Sequence, residues 1–240
     1  GGILEETGKN LTPSPLFSTA VLGASLLEIA GDDSQKSNYL PKLVSGELTT
    51  AFALEEGSHH NPTHITTSAK KEGNDFVING KKTFVIDGHS ANLIIVAART
   101  KGGENDSNGI SLFCVDSNIK GLTVVKQSMV DSRNSAELEL KNVTISKENL
   151  LGDLHNAHPV IENVLDIARV AIAAEMLGNS SKAFEITLDY LKERKQFGVL
   201  IGSFQALKHR AAEMYSEIEL TKSAVVSAMN AIDEKSNDTA

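Results

Sequence analysis

The change along the chain from helical patterns to short β-prone runs and back to helical patterns constrains its fold more than any single motif. Residues 48 to about 146 contain short β-prone runs separated by clusters of glycine, asparagine, aspartate and serine, and many such strands are typical of an antiparallel sandwich or barrel. Residues 136–141 alternate strictly between apolar and charged side chains, as a half-buried strand does. Asn79-Gly80 stands between two β-prone runs and predicts a hairpin turn.

Helical patterns flank this β-rich segment on both sides. Before it, an apolar run of helical length follows two prolines, and a second short helix is expected after Asp32-Asp33, with Pro41 as a candidate restart. After it, apolar residues recur with a period of about 3.6, and a further helix is expected after Gly198 with Ser203 as its N-cap. The sequence therefore predicts an α+β multidomain fold with a partial N-terminal helical domain (1–47), a middle β-domain (48–155) and a partial C-terminal four-helix-bundle domain (156–240).

Charge and cysteine content exclude several classes of protein. The net charge of −8 is too acidic for a general nucleic-acid or anionic-membrane binder. Cys114 is the only cysteine, so an intrachain disulfide and a cysteine metal site are ruled out, and its apolar neighbours favour a buried thiol in a reducing compartment. No apolar run approaches the roughly 18 residues of a membrane span. We therefore expect a cytoplasmic protein, or one of the mitochondrial matrix in a eukaryote.

The two ends of the chain resemble internal positions of a protein. The chain starts with Gly1-Gly2, without an initiator methionine or a basic leader, and it stops abruptly after a helical pattern. We therefore expect a fragment at both ends.

A polar and aromatic motif joins the last two helical patterns. It runs from Glu193 to Gly198 and contains Arg194 and Phe197, and Gln205 follows shortly after. Arginine is a fork-shaped donor suited to phosphate, phenylalanine offers a face for stacking, and glutamine offers both a donor and an acceptor. This set could hold the pyrophosphate and adenine of a dinucleotide. A solvated charge beside a helix-packing phenylalanine explains the same window equally well.

With this motif in place, the chain resembles the acyl-CoA dehydrogenase family over nearly its whole length. The resemblance rests on an ordered set of segments: residues 39–47, 80–88, 91–92, 96–99, 149–152, 194–198, 201, 204–205 and 212–214. Several of them look closest to the small subunits of pimeloyl-CoA-type dehydrogenases. The resemblance implies an FAD-dependent enzyme of fatty acid β-oxidation that converts an acyl-CoA thioester to a trans-2-enoyl-CoA and passes electrons to an electron-transferring flavoprotein.

The resemblance also implies two groups of cofactor-binding residues. Arg194, Phe197 and Gln205 match positions that contact the adenine and pyrophosphate of FAD across a subunit interface, which implies a homo- or hetero-oligomer, usually a dimer of dimers such as a homotetramer. A short run that lines the flavin ring matches Phe84, Val85 and Ile86. Ile86 lacks the hydroxyl that the family usually carries near flavin N5, and a plain buried strand is the favoured alternative for Val85.

The loop after residue 53 departs from the family pattern. The family usually has Thr-Glu-Pro followed by Gly-Ser-Asp in a loop that contacts flavin and acyl-CoA, and the resemblance carries Leu54 and Glu56 over as cofactor-binding residues. Glu55 and Gly57 replace the threonine and the proline, and the Gly-Ser-Asp triplet is absent. The histidines that follow include an i, i+4 pair, but a proline and the β context argue against a helix there, so no metal site is expected.

Substrate-binding residues and the catalytic base follow from the same resemblance. Ser135 matches a contact to the pantetheine arm, with turn chemistry as the alternative, and Asp166 and Arg169 match a pair that helps to hold the CoA chain. A simple intrahelical ion pair, worth about 0.2–0.5 kcal/mol, is the alternative for that pair. In most of the family the base is expected beyond the last residue of this chain. In a minority branch it occupies a position that is Ala168 here, and Glu175 lies about two turns further along that helix. We assign no catalytic residue.

Two other functions stay open at this point. The altered loop favours a non-catalytic partner subunit of a heteromeric dehydrogenase as one alternative. The other is a module that binds a CoA ester without redox chemistry.

Overall fold

The computed structural model of the chain describes residues 1–234, which form two compact units. The first, here called the sheet unit, comprises Ser14–Leu165, and the second, called the helical unit, combines Gly1–Pro13 with the residues from Asp166 onward. The helices are α1 (Gly2–Asn10), α2 (Ala24–Ala30), α3 (Asp33–Ser45), α4 (His158–Glu193) and α5 (Gln205–Asp233). The α+β class predicted from the sequence is confirmed, while the domain boundaries at residues 47 and 155 stay predictions.

One eight-stranded sheet dominates the sheet unit. Its strands are β1 (Thr50–Ala53), β2 (Ser68–Glu72), β3 (Asp75–Ile86), β4 (Leu93–Arg99), β5 (Ile110–Asp116), β6 (Leu122–Ser128), β7 (Asn134–Ser146) and β8 (Leu150–Leu151). They are ordered β6-β7-β3-β2-β4-β5-β8, and β1 pairs with β4 off this path. Most neighbours are antiparallel, as predicted, but β1 and β2 each pair with β4 in parallel, which the sequence did not indicate.

The Asn79-Gly80 pair is not the hairpin turn that the sequence suggested. It lies inside β3, where a register shift interrupts the pairing with β7. A Cβ on Gly80 would lie 2.6 Å from the Cα of Thr67, so glycine is needed there for close backbone approach. Glu72 at the end of β2 pairs with Asp75 at the start of β3, so the hairpin turn is at residues 73–74 instead. Gly73 in this turn has a φ of 62°.

Helices at the start of the sheet unit follow local capping rules. A π-helix, Phe17–Gly23, leads into α2. The next helix, α3, starts with a capping box in which the Asp32 carboxylate accepts from the Gln35 amide and the Gln35 side chain accepts from the Asp32 amide. Pro41 lies within α3, so the predicted restart there is wrong.

Each unit buries its own apolar core. In the sheet unit, alternate residues of the long strands face one cluster in which the rings of Phe76 and Phe113 lie 5.0 Å apart. In the helical unit, a smaller cluster joins α4 and α5 around Leu177 and Val225. Glycine lets α1 approach α4 there, since a Cβ on Gly8 would lie 1.9 Å from the carbonyl oxygen of Glu175.

A short hairpin connects α4 to α5. Its strands are β9 (Lys195–Gln196) and β10 (Val199–Leu200), and a 3-10 turn, Ile201–Ser203, follows. The N-cap of α5 is Phe204, so the prediction of Ser203 was wrong. The Ser203 hydroxyl instead donates to the Leu200 carbonyl at 2.7 Å, which closes the 3-10 turn.

Among the helices within residues 1–234, none combines the length and the apolar character that crossing a bilayer requires.

Candidate functional site

An open cleft of about 510 Å³ lies on the outer face of the sheet unit. One wall is the loop after β1, the floor is the second half of β3, and the other wall comes from β6 and β7. The lining residues are Glu56, Gly57, Ser58, Lys81, Lys82, Thr83, Phe84, Thr123, Val125, Glu137, Leu138 and Glu139. This volume is in the range of small-molecule sites. The cleft includes Glu56 and Phe84, two of the residues predicted from the sequence to bind the cofactor.

Phe84 is the apolar residue of this cleft with an unusual backbone. Its φ is 50°, in the left-handed region that bulky side chains rarely adopt, and 42% of its surface is exposed. A register shift between Lys82 and Val85 in the pairing of β3 with β7 explains the conformation, because the extra residue of a β-bulge re-aims its side chain. The ring is therefore presented at the cleft instead of the core.

Gln127 of β6 supports this bulge. Its side-chain oxygen accepts from the Phe84 amide and from the Ser135 hydroxyl, each at 3.1 Å. Its side-chain nitrogen donates to the Thr83 hydroxyl and to the Glu137 carboxylate, each at 3.2 Å. One amide thus joins three strands around Phe84.

A buried ion pair lies at the floor of the cleft. The Lys82 ammonium donates to Glu56 Oε1 at 2.7 Å and to the Leu54 carbonyl at 2.9 Å, and the Lys82 side chain is fully inaccessible. The Glu56 carboxylate also accepts from the backbone amides of Thr66 and Thr67 and from the Thr66 hydroxyl. Both charges are therefore paired and hydrogen-bonded, as buried charges must be.

The ion pair changes the protonation behaviour of both groups. Burial alone would raise the pKa of Glu56, but the Lys82 ammonium and the threonine donors lower that pKa to about 2. Burial lowers the pKa of Lys82 to about 8, although Glu56 opposes that change. At neutral pH both groups stay charged, so the carboxylate serves as a structural anion with no proton to donate.

Other residues predicted in this region lie close to the cleft or beneath it. Val85 is buried in the core at 1% exposure and pairs with Ala136, in agreement with the plain-strand alternative. Leu54 is also buried and contributes its carbonyl to Lys82. Ile86 is half-buried and pairs with Ser135, whose own side chain is buried and bound to Gln127.

The histidine-containing loop forms local contacts. His60 Nδ1 lies 2.6 Å from Glu55 Oε1, whereas His64 Nδ1 lies 2.8 Å from Asn105 Oδ1. Within the described part of the chain, no group of three histidine, cysteine, aspartate or glutamate side chains is arranged to bind a metal.

In the helical unit, the Arg194 motif forms the hairpin between α4 and α5. Phe197 and Gly198 occupy its two-residue turn with φ 54° and 79°, the pattern of a type I′ turn. Phe197 is 91% exposed, and its ring lies edge-on to the ring of Phe204, with centroids 6.2 Å apart. Within residues 1–234, the Arg194 guanidinium takes part in no hydrogen bond or ion pair, and Gln205 is exposed at the first position of α5.

The remaining predicted residues lie on α4. The Arg169 guanidinium donates to the Asp166 carboxylate within one turn of the helix, so the intrahelical pair is present. Ala168 is buried and has no proton-accepting group. Glu175 is half-buried on the same helix.

Two important residues were missed in the sequence, for different reasons. Lys82 has the same strand parity as Phe76 and Ile78, so the alternation in β3 already placed it on the core face. A lysine at such a position signals a buried partner. Gln127 had no comparable signal, because its role depends on the pairing of β6, β7 and β3.

Comparison with known proteins agrees with this geometry. Residues 51–143 match the family model described as acyl-CoA dehydrogenase, middle domain, and residues 158–240 match acyl-CoA dehydrogenase, C-terminal domain. A relative from Bacillus subtilis (strain 168), the probable acyl-CoA dehydrogenase YngJ, is 36% identical over 94% of this chain and 61% of its own length. Subunit CarC of the caffeyl-CoA reductase-Etf complex of Acetobacterium woodii is 30% identical over 93% of this chain and 60% of its own.

A solved structure extends the similarity to three dimensions. The butyryl-CoA dehydrogenase of Megasphaera elsdenii superimposes with a TM-score of 0.91 at 28% identity, over 98% of this chain and 63% of that one. The chain thus spans about three fifths of the length of these proteins.

Proposed function

The chain belongs to the acyl-CoA dehydrogenase family, and from that premise we propose that it is part of an oxidoreductase acting on the CH–CH group of an acyl-CoA thioester. The product is a trans-2-enoyl-CoA, and the cofactor is FAD. The observation that carries the proposal is Phe84, an exposed aromatic ring held in a left-handed conformation at a cleft of ligand size. Strained residues of this kind concentrate at binding sites.

The residues present fit FAD at both of its ends. Phe84 offers a flat apolar face for an isoalloxazine ring, and the nearby Ile86 could contribute its backbone where it lacks a hydroxyl. In the helical unit, the exposed guanidinium of Arg194 suits a pyrophosphate and the exposed Phe197 suits an adenine. Gln205 adds an exposed amide beside them. By the family resemblance these nucleotide contacts are made to the cofactor of another protomer, so we propose a homo- or hetero-oligomer, as a dimer of dimers.

The protein's contribution to the reaction is positioning. When bound, FAD supplies the acceptor for the hydride that leaves the β-carbon of the substrate. The chain has to hold the reacting carbon at a fixed distance, and orientation of this kind can lower a barrier by several kcal/mol. The saturated Lys82–Glu56 pair makes the floor under Phe84 rigid. Removal of the α-proton requires a carboxylate base, which we assign to no residue of this chain.

Substrate contacts and electron transfer complete the proposal. Ser135, Asp166 and Arg169 are the proposed contacts to the CoA portion, with the Asp166–Arg169 pair already formed on α4. An electron-transferring flavoprotein is the proposed electron acceptor, since the name of the Acetobacterium woodii relative places it in a complex with such a protein. The proposed compartment is the cytoplasm, or the mitochondrial matrix in a eukaryote.

Absorbance spectroscopy tests the reaction directly. We expect purified protein to be yellow with a flavin band, and we expect addition of an acyl-CoA under anaerobic conditions to bleach that band. A colourless protein that takes up no added FAD would contradict the proposal.

Arg194→Ala tests the nucleotide end of the site. Loss of a charge-assisted pair to phosphate should weaken FAD binding by about tenfold or more. Arg210→Ala is the matched control, because Arg210 is also an exposed arginine of the helical unit. Equal FAD content in the two variants would favour the solvated-charge interpretation of Arg194.

One observation favours a second function, a non-catalytic partner subunit. The loop that usually contacts flavin and substrate is here tied to itself by the His60–Glu55 contact, and the Glu56 carboxylate is saturated by internal donors. Such a subunit would carry flavin without being bleached by acyl-CoA on its own. Bleaching that requires a second, different subunit would support this function.

A further inference from the structure

We propose that Gln127 is the positioning residue for Phe84, because it supplies from β6 the hydrogen-bond acceptor that the bulge in β3 denies to the Phe84 amide. The consequence for a bound aromatic ring rests on the proposed function. The hydrogen-bond arrangement itself does not.

The register of β3 and β7 shows what the bulge removes. Lys82 pairs with Leu138 and Val85 pairs with Ala136, so Thr83 and Phe84 together face the single residue Glu137. Two residues opposite one is the count of a β-bulge, in which the ladder is locally broken. The backbone amides of Thr83 and Phe84 therefore both need partners outside β7.

The two amides find partners of different kinds. The Thr83 amide donates to the backbone carbonyl of Glu55 at 2.9 Å. The Phe84 amide donates to the side chain of Gln127 at 3.1 Å. A backbone carbonyl is available whatever the sequence, whereas the partner of Phe84 depends on the identity of one residue.

The position of Gln127 follows from strand pairing. Gln127 pairs with Ser135 on β7, and Ser135 pairs with Ile86 on β3, so Gln127 is in register with the end of the bulge two strands away. Its side chain is long enough to cross β7 and meet Phe84. The hydroxyl of Ser135, on the strand that it crosses, donates to the same oxygen at 3.1 Å.

The neighbours of Gln127 also determine which way its amide points. The nitrogen end faces the Glu137 carboxylate, which only accepts, at 3.2 Å. The oxygen end faces the Phe84 amide, which only donates. If the Gln127 amide were flipped, its oxygen would face the Glu137 carboxylate and its nitrogen would face the Phe84 backbone nitrogen. Both contacts are unfavourable, so the side-chain oxygen faces Phe84.

Holding this amide matters because the Phe84 backbone is strained. A non-glycine residue in the left-handed region is strained, and this conformation persists only where the surroundings impose it. Without the acceptor, the bulge can relax and the ring can leave the cleft. Gln127 thus prepares a surface for a flat aromatic ligand without having to touch that ligand.

Hydrogen exchange at the Phe84 amide tests the proposal without any cofactor. In the chain carrying isotope-labelled phenylalanine, Gln127→Met should raise the exchange rate of the Phe84 amide about tenfold, the equivalent of one hydrogen bond. The amide of Phe76, on the same strand, is the internal control and should not change. The exchanged pair, Gln127→Glu with Glu137→Gln, keeps an acceptor for the Phe84 amide and a donor between positions 137 and 127, so it should keep the protection. Equal rates in wild type and Gln127→Met, or equal acceleration at Phe76, would overturn the proposal.

Flavin affinity provides the second readout. Gln127→Met should weaken FAD binding and alter the shape of the flavin band, and Lys126→Ala, an exposed neighbour, should have no effect. Normal FAD binding by Gln127→Met despite a faster Phe84 amide would remove the functional part of the proposal. A wild-type protein that binds no FAD would instead contradict the proposed function, and the exchange rates would still decide the role of Gln127.

Discussion

Phe84 and Phe197 have the same rare backbone conformation in very different surroundings. All eight phenylalanines lie within residues 1–234, where these two alone have a positive φ, and both are exposed. Phe84 lies in a sheet, where the Gln127 amide accepts from its backbone amide and the Lys82–Glu56 pair lines the same cleft. Phe197 lies in a two-residue turn and has an edge contact with a single ring.

The difference indicates two ways of presenting an exposed aromatic ring. In the sheet unit the polar groups around the exposed ring are satisfied internally, so this part of the surface is formed before any ligand arrives. In the helical unit the Arg194 guanidinium is exposed and has no partner within residues 1–234, so within that range it stays open to a ligand. The four predictions below test this contrast between a preformed and an open site.

The largest expected effect comes from breaking the ion pair under Phe84. Lys82→Met would leave the Glu56 carboxylate buried without its counter-charge, which should lower the free energy of unfolding by about 3–5 kcal/mol. Urea unfolding followed by circular dichroism measures this, since the chain has no tryptophan. Lys81→Met is the control, because Lys81 is exposed and its 3.3 Å contact with Glu139 should contribute less than about 1 kcal/mol. Similar losses in both variants would mean that the floor of the cleft is not held by this pair.

Acid should weaken the same site by a smaller amount. The pKa of Glu56 is lowered to about 2, so its contribution to stability is present above the unfolded pKa of about 4.5 and is lost as the pH falls towards 2. The loss should be about 3 kcal/mol over that window. Unfolding free energies measured from pH 5 to pH 2 should fall less steeply for Glu56→Gln than for wild type. Parallel curves for the two proteins would refute this assignment.

Glycine at the two strained positions should have effects of opposite sign. In Phe197→Gly, relief of about 1–2 kcal/mol of left-handed strain should exceed the entropic cost of glycine, so stability should be unchanged or higher by up to about 1 kcal/mol. In Phe84→Gly, loss of the half-buried ring should outweigh the same relief and lower stability by about 1 kcal/mol. Both variants should bind FAD more weakly. Leu220→Ala, at an exposed apolar position of α5, is the control for the helical unit. If both glycine variants were more stable than wild type, Phe84 and Phe197 would not differ in how their surroundings support them.

The smallest expected effect is at the ion pair on α4. Asp166→Asn removes an intrahelical pair and should lower stability by less than about 0.5 kcal/mol. Weaker acyl-CoA binding by this variant, measured by calorimetry at unchanged stability, would support the substrate role of Asp166. Equal acyl-CoA affinity in wild type and Asp166→Asn would mean that Asp166 serves only in the intrahelical ion pair.

Features that depend on residues close together in the sequence were predicted correctly. The β-rich middle between helical segments, the helix expected after Asp32-Asp33 and the burial of Val85 all follow from periods and neighbours within a few residues. The same local rules misread Asn79-Gly80, because a glycine needed for close approach to Thr67 looks like a turn glycine until the partner strand is known.

What the sequence determined by itself was therefore the class of fold and the family resemblance, from which the proposed flavin-binding residues follow. What only the tertiary structure decided was the support of those residues: the internal saturation of Glu56, the use of Lys82 as its partner, and the bond from Gln127 to Phe84. The physical reason is distance along the chain. Hydrogen bonds between residues 26 and 43 positions apart depend on strand order and register, which no local pattern contains.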